Sequence, residues 1–235
     1  MWSAERGLTG DGSGTRRLIS PSYTRRMKLR PGLLALLVLA ALALVGVLVL
    51  GPRLTTPREG STEVRFVREM TGHHAQAVDM ATRIRDRSED RTIRALALDI
   101  MLSQQEQIGQ MRGWLTLWGL PWGGQGMTAE HARTMGMASP AELNSLDTRP
   151  VSEAEKTFLQ LMIRHHQGAL EMVEPALGNG VRPEVQALAK QIEAAQGGEI
   201  RLMTQLLADR DARPLPAPAG DGGGMNGMDM GEHQH

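Results

Sequence analysis

Apolar residues along this chain recur mostly at intervals of three, four and seven, and the alternation expected of β-strands is absent throughout. Phe66, Met70, Ala77, Ala81 and Ile84 mark one face of a helix expected over about Thr62 to Arg87. Ser88 is the expected N-cap of a second helix, about Glu89 to Trp118, with Ile93, Leu96, Ile100, Ile108, Met111 and Leu115 facing inward. Gly119 and Pro121 stop it, and a long connection rich in Gly and Met follows to Pro150, with a short helix expected near Ser139. Ser152 and Glu155 have capping-box spacing and open a third helix to about Leu177. Gly178-Asn179-Gly180 ends it, and Pro183 suits the first turn of a fourth helix continuing to about Asp209. Upstream lies a different pattern, the uncharged run Leu33 to Leu50, long enough at ~1.5 Å per residue to approach a ~30 Å hydrocarbon layer.

The third and fourth helices repeat the first and second. Met70-Thr71-Gly72-His73-His74 returns as Met162-Ile163-Arg164-His165-His166, and the same offset relates Ile100 to Ile192, Gln104 to Gln196 and Met111 to Met203. The expected fold is therefore all-α: a ferritin-like up-down four-helix bundle of two repeated hairpins with one long crossover, preceded by one N-terminal transmembrane helix. The expected organisation is a disordered basic tail over 1–30, an anchor over 31–52, a bundle over 62–210 (repeats about 62–118 and 152–210) and a flexible Met/His-rich tail over 211–235. Arg16, Arg17, Arg25, Arg26, Lys28 and Arg30 precede the apolar run, which by the positive-inside rule keeps the N-terminus cytoplasmic. The bundle is then held outside the plasma membrane by a single pass. A secreted protein, released after signal cleavage or translated from Met27, is the alternative.

Composition narrows the chemistry. The 235 residues include 15 Met and no Cys, with a formal net charge of zero. Disulfides, thiolate metal sites and a cysteine nucleophile are excluded, and neutrality argues against nucleic acid as a partner. On a helix, Met70 lies three and four residues before His73 and His74, with Met80 further along; Met162, His165, His166 and Met172 repeat the pattern. If the two halves pack about a pseudo-two-fold axis, imidazoles and thioethers converge. That donor set favours Cu(I), and tolerates Cu(II) through the imidazoles, over Mg²⁺ or Ca²⁺. Met127, His131 and Met135 form a second Met/His group on the connection; Met228, Met230, His233 and His235 form a third in the tail.

The bland reading keeps the Met residues as core filler and the His pairs as hydrogen-bonded structural residues of a non-metal envelope module. A di-iron or haem redox protein is a further alternative. Against di-iron, Glu69 has Leu161 as its repeat counterpart, Glu106 and Glu199 are one position out of register, and Glu-x-x-His is absent from the four expected bundle helices. No zinc-protease motif, phosphate loop or nucleophile elbow occurs, so an enzyme is not expected.

From about Glu63 to Asp209 the chain resembles the domain-of-unknown-function 305 family, most specifically over Phe158 to Met172 and in Met70, His73, His74, Ala77 and Met80. Gln196, Glu199, Ile200 and Met203 fit the end of the family's last helix, whereas Gln107 stands where Glu is common. The resemblance implies an exported or membrane-anchored helical bundle, with copper binding in some members; no enzymatic activity follows from it. The expected role is copper buffering, tolerance or delivery, with a metal ion as partner and a homo-oligomer or copper-handling protein as further partners.

Overall fold

The computed structural model describes residues 31–54, 56–124 and 127–218. The described residues are helical, without strands: α1 Pro31–Leu54, α2 Thr62–Arg87, α3 Arg91–Leu117, α4 Ala129–Thr134, α5 Pro140–Thr148, α6 Val151–Val173, a 3₁₀ turn Glu174–Leu177, and α7 Pro183–Ala208. The basic tail expected over 1–30 and, from residue 219 on, the Met/His-rich tail expected over 211–235 lie outside them, Met228, Met230, His233 and His235 included. Contacts divide the chain into two units, Met1–Leu48 and Val49–His235, and each stands by itself.

The described residues of the first unit lie in α1. Its described large apolar side chains, such as Leu36, Leu39, Val47 and Leu48, are more than half exposed. Counting only described side chains, no helix is long and apolar enough to cross a membrane.

In the second unit α2 and α3 form one hairpin, α6 and α7 the other, and the two meet through α2 and α6. Helix starts differ from the sequence expectation for local reasons. Asp90, not Ser88, caps α3, its carboxylate accepting from the Thr92 and Ile93 amides at 2.8 and 3.2 Å. Ser88 ends α2 instead, and its hydroxyl is 2.6 Å from Glu155. That contact removes Glu155 from the capping box predicted at Ser152; α6 begins at Val151 after Pro150 with no side-chain cap. A true capping box occurs at Ser139 and Glu142, opening α5. The third helix also stops at Val173, because Pro175 carries the chain into the 3₁₀ turn.

The crossover between α3 and α6, which includes α4 and α5, is strapped onto α2 and α6. Gln76 makes a two-way bond with the backbone of Ala138, accepting at 2.6 Å and donating at 2.9 Å. Arg164 donates to Glu142 at 2.9 and 3.0 Å and to the Gly136 carbonyl at 3.3 Å, and Arg87 donates to the carbonyls of Leu146 and Arg149. Two glycines permit the approach. Gly136 has φ +73°, a left-handed conformation, and a Cβ there would lie 2.2 Å from the Arg164 carbonyl oxygen. A Cβ on Gly168 would lie 1.9 Å from the Met135 carbonyl oxygen.

Candidate metal centre

The periodicity that builds α2 and α6 turns both His pairs inward, and all four imidazoles are fully buried. The His73 and His165 rings stack across the junction of the repeats, centroids 3.6 Å apart and planes 27° from parallel. Each of the four rings uses Nε2 on an oxygen. His73 Nε2 donates to the Met135 carbonyl at 2.9 Å, and His165 Nε2 to the His73 carbonyl at 3.1 Å. His74 Nε2 bonds the Gln107 amide oxygen at 2.7 Å, and His166 Nε2 the Glu199 carboxylate at 2.5 Å. Because these oxygens accept, the proton sits on Nε2 and the Nδ1 lone pair is left free in each neutral ring. All four Nδ1 atoms are buried with no hydrogen-bond partner among the described residues.

Gln107 and Glu199 were not singled out by the His-Met pattern, yet they obey the repeat. Each lies 33 positions after the histidine it holds, His74 and His166. The amide in one half and the carboxylate in the other do the same job of fixing tautomer and ring orientation. Gln104 and Gln196, a further repeat pair, are buried with both side-chain polar atoms unpartnered. The bundle interior thus holds orphaned donors and acceptors from all four long helices, each costing ~1–3 kcal/mol if left unmet.

Burial sets the charge state. It pulls His73 down to about 4, against the raising effect of the Met135 hydrogen bond and with help from His166. Burial, then the nearby His73, brings His74 down to about 3, and burial with the three other imidazoles holds His165 well below the usual histidine range. The His73, His74 and His165 rings stay neutral at neutral pH and keep their lone pairs. Their contribution to stability is complete above the unfolded histidine value near 6.5 and is lost as pH falls from there toward 4 and 3. Chemical denaturation of the metal-free protein should therefore show stability dropping by on the order of a few kcal/mol between pH 7 and 4. A flat profile across that window would mean the rings are already charged or solvated.

The thioethers are divided. Met80, Met162 and Met203 belong to one hydrophobic cluster, and Met70, Met111, Met172 and Met135 to another. Antiparallel packing explains the split: Met70 precedes its His pair and Met172 follows its own, so these two share one end while Met80 and Met162 share the other. Imidazoles converge; the motif thioethers flank them in two groups instead of meeting at one point. Among the described residues no three His, Cys, Asp or Glu side chains are grouped so as to hold a metal ion.

The second Met/His group is also separated. His131 sits in α4, its Nε2 3.7 Å from the Glu69 carboxylate. With Met135, Glu171 and Met172 it lines an open cavity of about 390 Å³ over the start of α2 and the end of α6. Met127 lines a different cleft, beside Trp122. The 390 Å³ cavity joins the crossover to the second repeat through Met172.

The fold and this interior define the class: a helical bundle built from two copies of a hairpin, with doubled histidines buried at their junction and methionines on either side. The chain belongs to the family described as Domain of unknown function (DUF305), whose profile matches residues 63–207. A DUF305 fragment from Deinococcus radiodurans is 53% identical, with 65% of this chain and 99% of that one covered and a TM-score of 0.61. A DUF305 protein from Streptomyces coelicolor is 37% identical over 68% and 99%, with a TM-score of 0.62. CopM in its Cu(II)-bound form is 30% identical over 63% and 96%, with a TM-score of 0.54, and CopM is also known in Cu(I)-bound and silver-bound forms. Among curated proteins, none matches this chain.

Proposed function

We propose that this protein binds copper outside the cytoplasm, as Cu(I) by preference, and buffers the ion or hands it on without covalent chemistry. One observation carries the reading: four imidazoles from both repeats are buried together, each Nε2 bonded to an oxygen and each Nδ1 without a hydrogen-bond partner among the described residues. Metal-bound histidines commonly have this outer arrangement, the distal N–H fixed and the other nitrogen left for the ion. The relationship to CopM, solved with Cu(I) and Cu(II), supports copper as the ion. His73, His74, His165 and His166 are the assigned anchors. Met70, Met80, Met162 and Met172 supply soft donors on both sides, and a Cu(I) ion needs only two or three of these groups at once. His131, Met135 and Met172 around the open cavity offer a second, more accessible place, with Met127 in a separate cleft, and the tail residues Met228, Met230, His233 and His235 offer a third.

The apolar run Leu33 to Leu50 supports an anchor, with the basic residues before it on the cytoplasmic side. At ~1.5 Å per residue, the 24-residue α1 would reach ~36 Å. The relative from Streptomyces coelicolor, named as a candidate secreted protein, supports export of the bundle.

A non-metal structural bundle is the second reading, favoured by the same four Nε2 bonds, which would serve a purely structural interior. Titration of the full chain with Cu(I) against a competing chelator separates the two. The proposal expects at least one ion held tightly enough to be taken from the chelator. No uptake, with no copper in protein recovered from its native compartment, would leave the structural reading.

A further inference from the structure

Three of the chain's four tryptophans, Trp114, Trp118 and Trp122, follow one another at intervals of four. They gather at the end of α3. Trp114 and Trp118 stack with centroids 6.2 Å apart, and the Trp122 indole donates to the Thr116 hydroxyl at 2.9 Å. Arg112 stands 5.3 Å from the Trp122 ring and Arg182 5.5 Å from the Trp118 ring. Between them Leu117 is 82% exposed, more than any other large apolar side chain described in the bundle, and Trp122 is 59% exposed. Isolated apolar side chains on a surface need no explanation, but a cluster of indoles, an exposed leucine and arginines at one end does.

That end is also where the chain enters the bundle. Arg68, near the start of α2, donates to the Pro121 carbonyl at 3.3 and 3.2 Å, and Arg182 pairs with Glu63 at 3.5 Å. Only residues 55–61 separate the end of α1 from the start of α2. Seven residues span ~25 Å at most when fully extended, so the linker that leads into this end of the bundle is short.

We propose that the tryptophan end of the bundle seats on a phospholipid surface, with Leu117 and Trp122 in the headgroup layer. The inference rests on the reading of α1 as a membrane anchor. Indoles favour the boundary between hydrocarbon and water because the ring is apolar and its N–H is not. The guanidinium of Arg112, held against the ring, adds a cation for lipid phosphates. The short tether removes most of the entropic cost of bringing the patch to the surface.

The test uses the full chain with Trp2→Phe, so that only bundle indoles emit, reconstituted into phosphatidylcholine–phosphatidylglycerol vesicles carrying lipids brominated close to the headgroup. Seating predicts that bromination at least halves the emission, and that Leu117→Glu restores it without changing the thermal unfolding of the bundle. Unquenched emission from a chain that resists alkaline carbonate extraction would overturn seating while leaving the anchor in place. Extraction by carbonate would overturn the anchor, and the seating with it. Emission that responds to protein density in the vesicles but not to bromine would assign the patch to a second copy and overturn lipid seating.

Discussion

Replacing His165 and His166 together by alanine is expected to weaken Cu(I) binding at least ~100-fold, about 2.7 kcal/mol or more. The pair contributes half of the buried imidazoles, and its rings touch both sides of the junction: His165 stacks on His73 and donates to the His73 carbonyl, while His166 is tied to Glu199. Removing them leaves His73 and His74 without imidazole donors from the other repeat. Alanine also opens a cavity, so thermal unfolding of the metal-free variant must accompany the titration. A graded series sharpens the result. Glu199→Gln makes the second half resemble the first, where Gln107 holds His74, and should change affinity little. Glu199→Leu removes the acceptor and should cost ~10–100-fold, as loss of an outer-sphere partner typically does. Unchanged affinity in the folded double alanine variant would move the tight site to the open cavity or the tail.

Gly168→Ala is expected to destabilise the bundle by about 3 kcal/mol, against the usual gain from replacing a helical glycine. The added methyl would sit 1.9 Å from the Met135 carbonyl oxygen and 2.3 Å from its carbon, both backbone atoms that can move only if the crossover lifts. Lifting it strips His73 Nε2 of its acceptor and leaves that buried N–H unmet. Gly72 is the internal control. It is a helical glycine of α2, just before His73, and a Cβ there meets nothing within 4 Å. Gly72→Ala should therefore leave the melting temperature unchanged or raise it, while Gly168→Ala lowers it by roughly 6–12 °C for a domain of this size. Equal effects at the two positions would mean the crossover does not pack as closely as described.

Much of this arrangement was legible in the sequence because one face of each helix is written in apolar residues and the second hairpin repeats the first. That repetition was enough to place His73, His74, His165 and His166 in a shared interior. The Gln107 and Glu199 contacts were within reach of the same reasoning, since both sit 33 positions beyond a histidine of the repeat. The split of the methionines follows from antiparallel geometry, which sets Met70 beside Met172 and not beside Met162. Other features were hidden. The Met135 carbonyl that holds His73 is backbone, and its position depends on Gly136 and Gly168 letting two chain segments touch. Glu155 has the spacing of a helix cap but is claimed by Ser88, 67 positions away, a competition no local pattern reveals.

The di-iron alternative loses ground on the same geometry. Glu199 is the carboxylate bonded to the histidine layer, where its repeat counterpart is the neutral Gln107, so the symmetric carboxylate set of such centres is not assembled among the described residues. The potential donors buried beside that layer are instead imidazole and thioether groups, a set that suits a soft ion.

The most direct measurement is histidine-selective ¹⁵N magnetic resonance of the protein titrated with Ag(I), a diamagnetic stand-in for Cu(I). Binding at the buried layer predicts large shifts of Nδ1 resonances from histidines in both repeats, while the Nε2 protons stay bound and protected from exchange. Silver taken up with all four Nδ1 signals unmoved, or with the ion on Nε2, would contradict the assignment of this core as the metal centre.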